Sequence, residues 1–120
     1  MKPENVTKFI GELSASYPGT SRAQDGSKLL LRLHSVSYPQ GCSPGESEAI
    51  VVLEQSQPAP QLLLKEIPTL PNGKTPRSCS PVPMGGETWH TFSFNQPWHE
   101  DTHTALQFVE GRLRRFAQDE

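Results

Sequence analysis

Twelve prolines in 120 residues restrict regular structure more than any other feature of this sequence. Each locks φ near about −65° and removes a main-chain donor. Five of them, Pro68, Pro71, Pro76, Pro81 and Pro83, fall between residues 68 and 86, together with Gly73, Gly85 and Gly86. Such a stretch cannot be a central strand. It lies between apolar segments, so an ordered, extended loop is expected there rather than a disordered linker. Long loops inside compact domains are often functional.

Regular elements are therefore sought on either side of that stretch. Residues 5–17 place Val6, Phe9, Ile10, Leu13 and Tyr17 at helical spacing, which predicts an amphipathic helix. Asn5 is its expected N-cap and Pro18-Gly19 its stop. Residues 19–27 are polar and read as a loop. Residues 28–38 alternate Leu29, Leu31 and Leu33 with Leu30, Arg32 and His34, the pattern of a half-buried strand. Residues 49–54 and 61–67 read as two further strands, and 88–95 as a short strand alternating aromatic and polar side chains. A second helix is expected straight after Gln96-Pro97. Its stripe is Leu106, Val109, Leu113 and Phe116, with Glu100 and Asp101 in the first turn. Arg112, Arg114 and Arg115 come near its end, where the helix dipole favours cations. The expected architecture is α+β in one domain, residues 1–120. It has an N-terminal helix, an antiparallel meander of three or four strands, a proline-rich loop and a C-terminal helix.

Apolar residues are 33% of the chain and mean hydropathy is −0.56. No segment approaches the roughly 18 consecutive apolar residues of a membrane span. Lys2, Glu4, Lys8 and Glu12 interrupt the apolar run that a secretory signal would need, so a cytoplasmic protein is expected. The net charge of −2 and pI near 6.1 leave no basic footprint for nucleic acid beyond the three C-terminal arginines. Cys42 and Cys79 form no C-x-x-C pair, which argues against a zinc knuckle and predicts free thiols.

The order of elements resembles the ubiquitin-conjugating-enzyme-like (UBC/RWD) superfamily, in the manner of its divergent bacterial members. Trp98, just before the expected second helix, stands where that family has a Trp. Eight residues back, at the position of the catalytic Cys, stands His90. A further eight residues back lies Val82 in Ser80-Pro81-Val82, in place of the family's His-Pro-Asn. Leu70-Pro71 with Pro76 looks like a degenerate form of its upstream proline elements, and Thr88–Trp98 resembles an aromatic-rich segment of the bacterial members. Pro81 and Trp98 are the identities. An imidazole cannot form the thioester and Val82 has no amide for an oxyanion. The resemblance therefore implies a non-catalytic binding or scaffold domain in a bacterial ubiquitin-like conjugation system. Its implied partners are a ubiquitin-like protein, an activating-enzyme-like protein or both, with no cofactor.

Two catalytic alternatives stay open at this point. In a second register Leu70-Pro71-Asn72 replaces His-Pro-Asn and Cys79, seven residues after Asn72, is the nucleophile, with Trp89 at the Trp position. Arg77 would then lower its pKa. The bland alternative is a small, partly buried loop cysteine. His99-Glu100-Asp101-Thr102-His103 also matches H-E-x-x-H, the pattern of a zinc hydrolase with Glu100 as base and Glu110 or His90 as third ligand. Asp101 within the motif and its position right after Pro97 speak against zinc, and the same residues read as first-turn acids and histidines flanking an apolar stripe. Finally, Trp89, Phe92, Phe94 and Trp98 form the densest aromatic cluster. Core packing is expected for at least two of them, and a partner-binding role for the others.

Overall fold

The computed structural model describes residues 1–54, 56–57, 59–76, 79–92 and 97–117. Helix α1 spans Pro3–Ser16 and is followed by strands β1 (Ser21–Asp25), β2 (Lys28–Ser37), β3 (Glu46–Glu54) and β4 (Gln61–Leu64). Strands β5 (Cys79–Met84) and β6 (Glu87–Phe92) come next, then helix α2 (Ala105–Arg114) and a 3-10 turn at Arg115–Ala117. The six strands make one sheet in the order β1-β2-β3-β4-β6-β5, with every pairing antiparallel. This overturns the expected three- or four-stranded UBC-like arrangement: among the described residues the fold is dominated by a six-stranded antiparallel sheet with two helices.

The two additional strands lie where the sequence reads as loop. Each is the first arm of a hairpin closed by a two-residue turn. In Asp25-Gly26-Ser27-Lys28 only Gly26 has positive φ, +61°, as in a type II′ turn. In Met84-Gly85-Gly86-Glu87 both glycines do, at +61° and +80°, as in type I′. These turns match strand twist, and they make the residues on either side of the turn a hydrogen-bonded pair. Bonded and non-bonded pairs then alternate outward from each turn. In β1, Asp25, Ala23 and Ser21 exchange main-chain bonds with Lys28, Leu30 and Arg32, while Arg22 and Gln24 turn theirs away from β2. In β5 the same count leaves Pro83, Pro81 and Cys79 facing away from β6. Both prolines thus occupy positions where no ladder donor is required, which is why a segment with this composition can be an edge strand.

Both helices pack on one face of the sheet. Phe9 and Leu13 of α1 and Phe108, Val109 and Leu113 of α2 are buried against Leu31, Leu33, Val51 and Leu64 of the strands. A shift in register between Leu33 and Val36 lets β2 present both of those side chains to this same core. Trp98 closes one end of it, edge-on to Phe9 at 5.9 Å and to Phe108 at 5.8 Å, with its indole N–H donated to the Thr104 carbonyl at 2.9 Å. Phe116 closes the other end against Tyr38 and Phe92 at 5.2 and 5.1 Å. Such pairs add about 0.5–1.5 kcal/mol each beyond their buried area.

The opposite face carries a smaller core of Ile50, Val52, Leu63 and Trp89, with Leu30, Val82 and Met84 around it. No helix is part of that cluster. Arg32 and Lys65 instead lie over the Trp89 ring, 5.4 and 5.1 Å from its centroid. Arg32 pairs with Glu48 at 2.6 Å, and Glu87 reaches both cations, at 3.6 Å to Arg32 and 3.4 Å to Lys65.

Helix α2 begins later than the sequence predicts. Its N-cap is Thr104, whose hydroxyl accepts from the Gln107 N–H while the Gln107 side chain accepts from the Thr104 N–H. This capping box fixes the start. No acid lies in its first turn, whereas Arg112 and Arg114 do occupy the last.

The alternation in β1 is directly testable. Ala23→Pro removes a donor that pairs with Leu30 and is expected to cost about 1–3 kcal/mol in urea denaturation. Gln24→Pro removes a donor that faces outward and should change stability by less than about 0.5 kcal/mol. Equal losses from the two substitutions would show that the register is wrong.

Candidate functional site

The two edges of the sheet are unlike. On β5 the outward positions hold Pro81 and Pro83, so another strand meets missing donors there. On β1 the outward positions hold Arg22 and Gln24, whose N–H and C=O groups meet no main-chain partner among the described residues and form an open row. All five β1 residues are exposed. Of the usual protections of an edge, β1 lacks proline and cover and has only its short length and the charges of Arg22 and Asp25.

Grooves lie on both sides of this row. On the helix side a groove of about 560 Å³ runs between α1 and the strands, with Val6 and Leu29 beside Arg22 and Gln24. On the other side a groove of about 240 Å³ separates Ser21 and Ala23 from the Met84-Gly85 turn, with Leu30, Ile50 and Trp89 also lining it. A strand laid along β1 would direct alternate side chains into the two grooves, because successive residues point to opposite faces.

The structure scatters the residues singled out from the sequence. His90 lies on the strand expected over residues 88–95. It sits mid-strand in β6, opposite Leu64 of β4 and Pro81 of β5. Ser80-Pro81-Val82 is likewise strand, not a loop facing a catalytic pocket. Cys79 starts β5, half-buried, and burial pushes its thiol pKa up, the opposite of what a thiolate nucleophile needs. Arg77 lies outside the described residues. Cys42 is a second free thiol, buried beside the Phe116 carbonyl at 3.7 Å. Among the aromatics, Trp89 is fully buried, Phe92 is buried and Trp98 is packed into the helix-side core. Trp89 and Phe92 offer no exposed ring, whereas Trp98 is only partly buried. Phe94 lies outside the described residues.

His99, Glu100 and His103 belong to a turn before α2, not to a helix, so the helical spacing that would bring two imidazoles together does not apply. The Nδ1 of His103 accepts the His99 N–H at 2.9 Å, and the Nδ1 of His99 accepts the Asp101 N–H at 3.2 Å. Among the described residues no group of three His, Cys, Asp or Glu side chains is placed to hold a metal ion.

The acids of that segment serve α1 instead. Helix α1 starts after Lys2, not Asn5, and Lys2 gives it no side-chain cap. Glu100 fills that role from a distance in sequence, its carboxylate accepting the Lys2 N–H at 2.8 Å and the Asn5 amide at 3.0 Å. Asp101 accepts the Asn5 amide at 2.9 Å and pairs with the Lys2 ammonium at 3.4 Å. Negative charge at a helix N-terminus is stabilising. The Asn5 amide is the main cause holding both carboxyls below their ordinary pKa values of 4.5 and 3.8.

Compared with known proteins, the chain matches no family model, no curated protein and no solved structure. Its function is therefore argued from its own geometry.

A depressed carboxylate pKa contributes stability above the unfolded value and loses it as pH falls through the folded one. Wild type and Asn5→Ala should thus differ in unfolding free energy by a constant amount above about pH 5, and the difference should shrink toward about pH 2. Any offset from helix propensity does not vary with pH. Urea titrations across this range test the point, and a difference independent of pH would remove the link between α1 and the 99–103 turn.

Proposed function

We propose that this chain is a non-catalytic protein-binding domain that takes an extended segment of its partner as a further strand on β1. The single observation that carries the reading is the asymmetry of the sheet. One edge is blocked by prolines at its outward positions and the other is open, exposed and flanked by grooves. In this mode main-chain bonds supply affinity and pockets for alternate side chains supply selectivity.

A non-catalytic role is also supported by the chemistry of the two catalytic alternatives. The Cys79 thiol has its pKa raised. The acids of the H-E-x-x-H segment are engaged at the start of α1. A ubiquitin-like or activating-enzyme-like protein, the partner implied by the sequence resemblance, would meet this edge only through an extended stretch of its own.

A displayed library of random peptides, selected on the wild-type domain, tests the proposal. Selected peptides should protect the Arg22 and Gln24 amides from hydrogen exchange and bind Gln24→Pro about tenfold or more weakly. Peptides that bind both proteins equally, or that leave those amides unprotected, would refute it.

A further inference from the structure

The geometry points to a second copy of this chain as the occupant of the β1 edge, joining two six-stranded sheets into one. The inference rests on the strand-addition reading and names the strand. The outward residues Arg22 and Gln24 are placed symmetrically about Ala23. When β1 meets β1 of the second copy antiparallel, with the two Ala23 residues opposed, each Arg22 falls opposite a Gln24. Each then exchanges both main-chain groups with the residue it faces.

The side chains agree with this register. Ala23, at the two-fold axis, is the smallest residue of the strand and occupies the close, non-bonded pair. Arg22 would lie beside Gln24 of the second copy on the helix side. Ser21 would lie beside Asp25 of the second copy on the other side. No like charges sit directly opposite each other, the arrangement that destabilises a strand pair. A two-fold axis normal to the sheet keeps α1 of both copies on the same side.

The sealed edge adds a second argument. A sheet that pairs through both edges has no built-in stop to its growth. Here association through β1 leaves the β5 edges outermost, with Pro81 and Pro83 at their outward positions, so growth stops at two copies. A strand of only five residues buries less area than the roughly 1,200 Å² of a standard interface. The dimer is therefore weak and concentration-dependent.

Sedimentation equilibrium up to millimolar protein tests the inference. Wild type should pass from monomer to dimer and no further, and Gln24→Pro should weaken the association about tenfold or more. A cross-link tests the register. Opposed residues in a non-bonded pair have Cα atoms about 4.5 Å apart, within the range a disulfide spans. In a Cys79→Ser background, Ala23→Cys should form a disulfide-linked dimer in glutathione buffer, whereas Arg22→Cys, which faces Gln24, should not. A monomer at all concentrations, a dimer unaffected by Gln24→Pro, or equal cross-linking at positions 22 and 23 would overturn the inference. If the chain stays monomeric while the selected peptides still protect the Arg22 and Gln24 amides, the second copy is wrong and strand addition stands. If the peptides fail as well, both fall.

Discussion

The register imposed by two glycine turns is the constraint on which the rest of this structure depends. Once Asp25 closes on Lys28 and Met84 on Glu87, every main-chain group along β1 and β5 is assigned an inward or outward direction. A slip of one residue would turn Pro81 and Pro83 toward β6, where a ladder would lose donors in the middle of a pairing. It would also swing Val82 and Met84 away from the Trp89 cluster that they now border. Side-chain burial and main-chain bonding therefore agree on one register in β5. Strand β1 has no buried side chain to add its vote, and its alignment rests on the turn and the pairing with β2.

The helices depend on a different kind of long-range tie. Helix α2 carries its own start signal in the Thr104–Gln107 capping box. Helix α1 does not, and the N–H of its N-cap residue Lys2 is met by Glu100 from the turn just before α2. The carboxylate thus joins the first helix to the approach of the second, beside the Trp98 contacts to Phe9 and Phe108. What looks in sequence like a zinc-binding motif works here as a clasp between the two ends of the described chain.

How much of this was legible in the sequence follows from what each element is made of. Strands β2, β3, β4 and β6 and helix α1 are marked by apolar side chains that recur at the right period, and the sequence locates them. Strand β1 has five exposed residues and hence no hydrophobic signal. Its one local mark is Gly26-Ser27, a pair suited to a two-residue hairpin. Strand β5 is masked by its own prolines, although Gly85-Gly86 ahead of an aromatic strand is the matching hairpin mark, and proline is compatible with an edge. The sequence points to too early a start for α2 because Pro97 is a plausible first residue, whereas the decisive Thr104 and Gln107 lie several residues on. The candidate site was not legible at all. Cys79, His90, Trp89 and His103 stand out in the sequence because their side chains carry chemistry or bulk. The edge of β1 works through main-chain groups, which every residue except proline possesses, so identity alone cannot single out Arg22 and Gln24.

The second face of the sheet explains why addition at the edge fits this molecule better than a partner laid flat across its strands. An uncovered sheet face would need a covering layer for Ile50, Val52, Leu63 and Trp89. Here those side chains are already buried, Trp89 wholly so. The cations above its ring gain from the aromatic face and from Glu48 and Glu87 at once. A partner pressing on that face would first have to desolvate these charges, an expense that ion pairs recover only with good geometry. A strand joining β1 leaves the charge cluster in water and meets main-chain groups that are already directed outward.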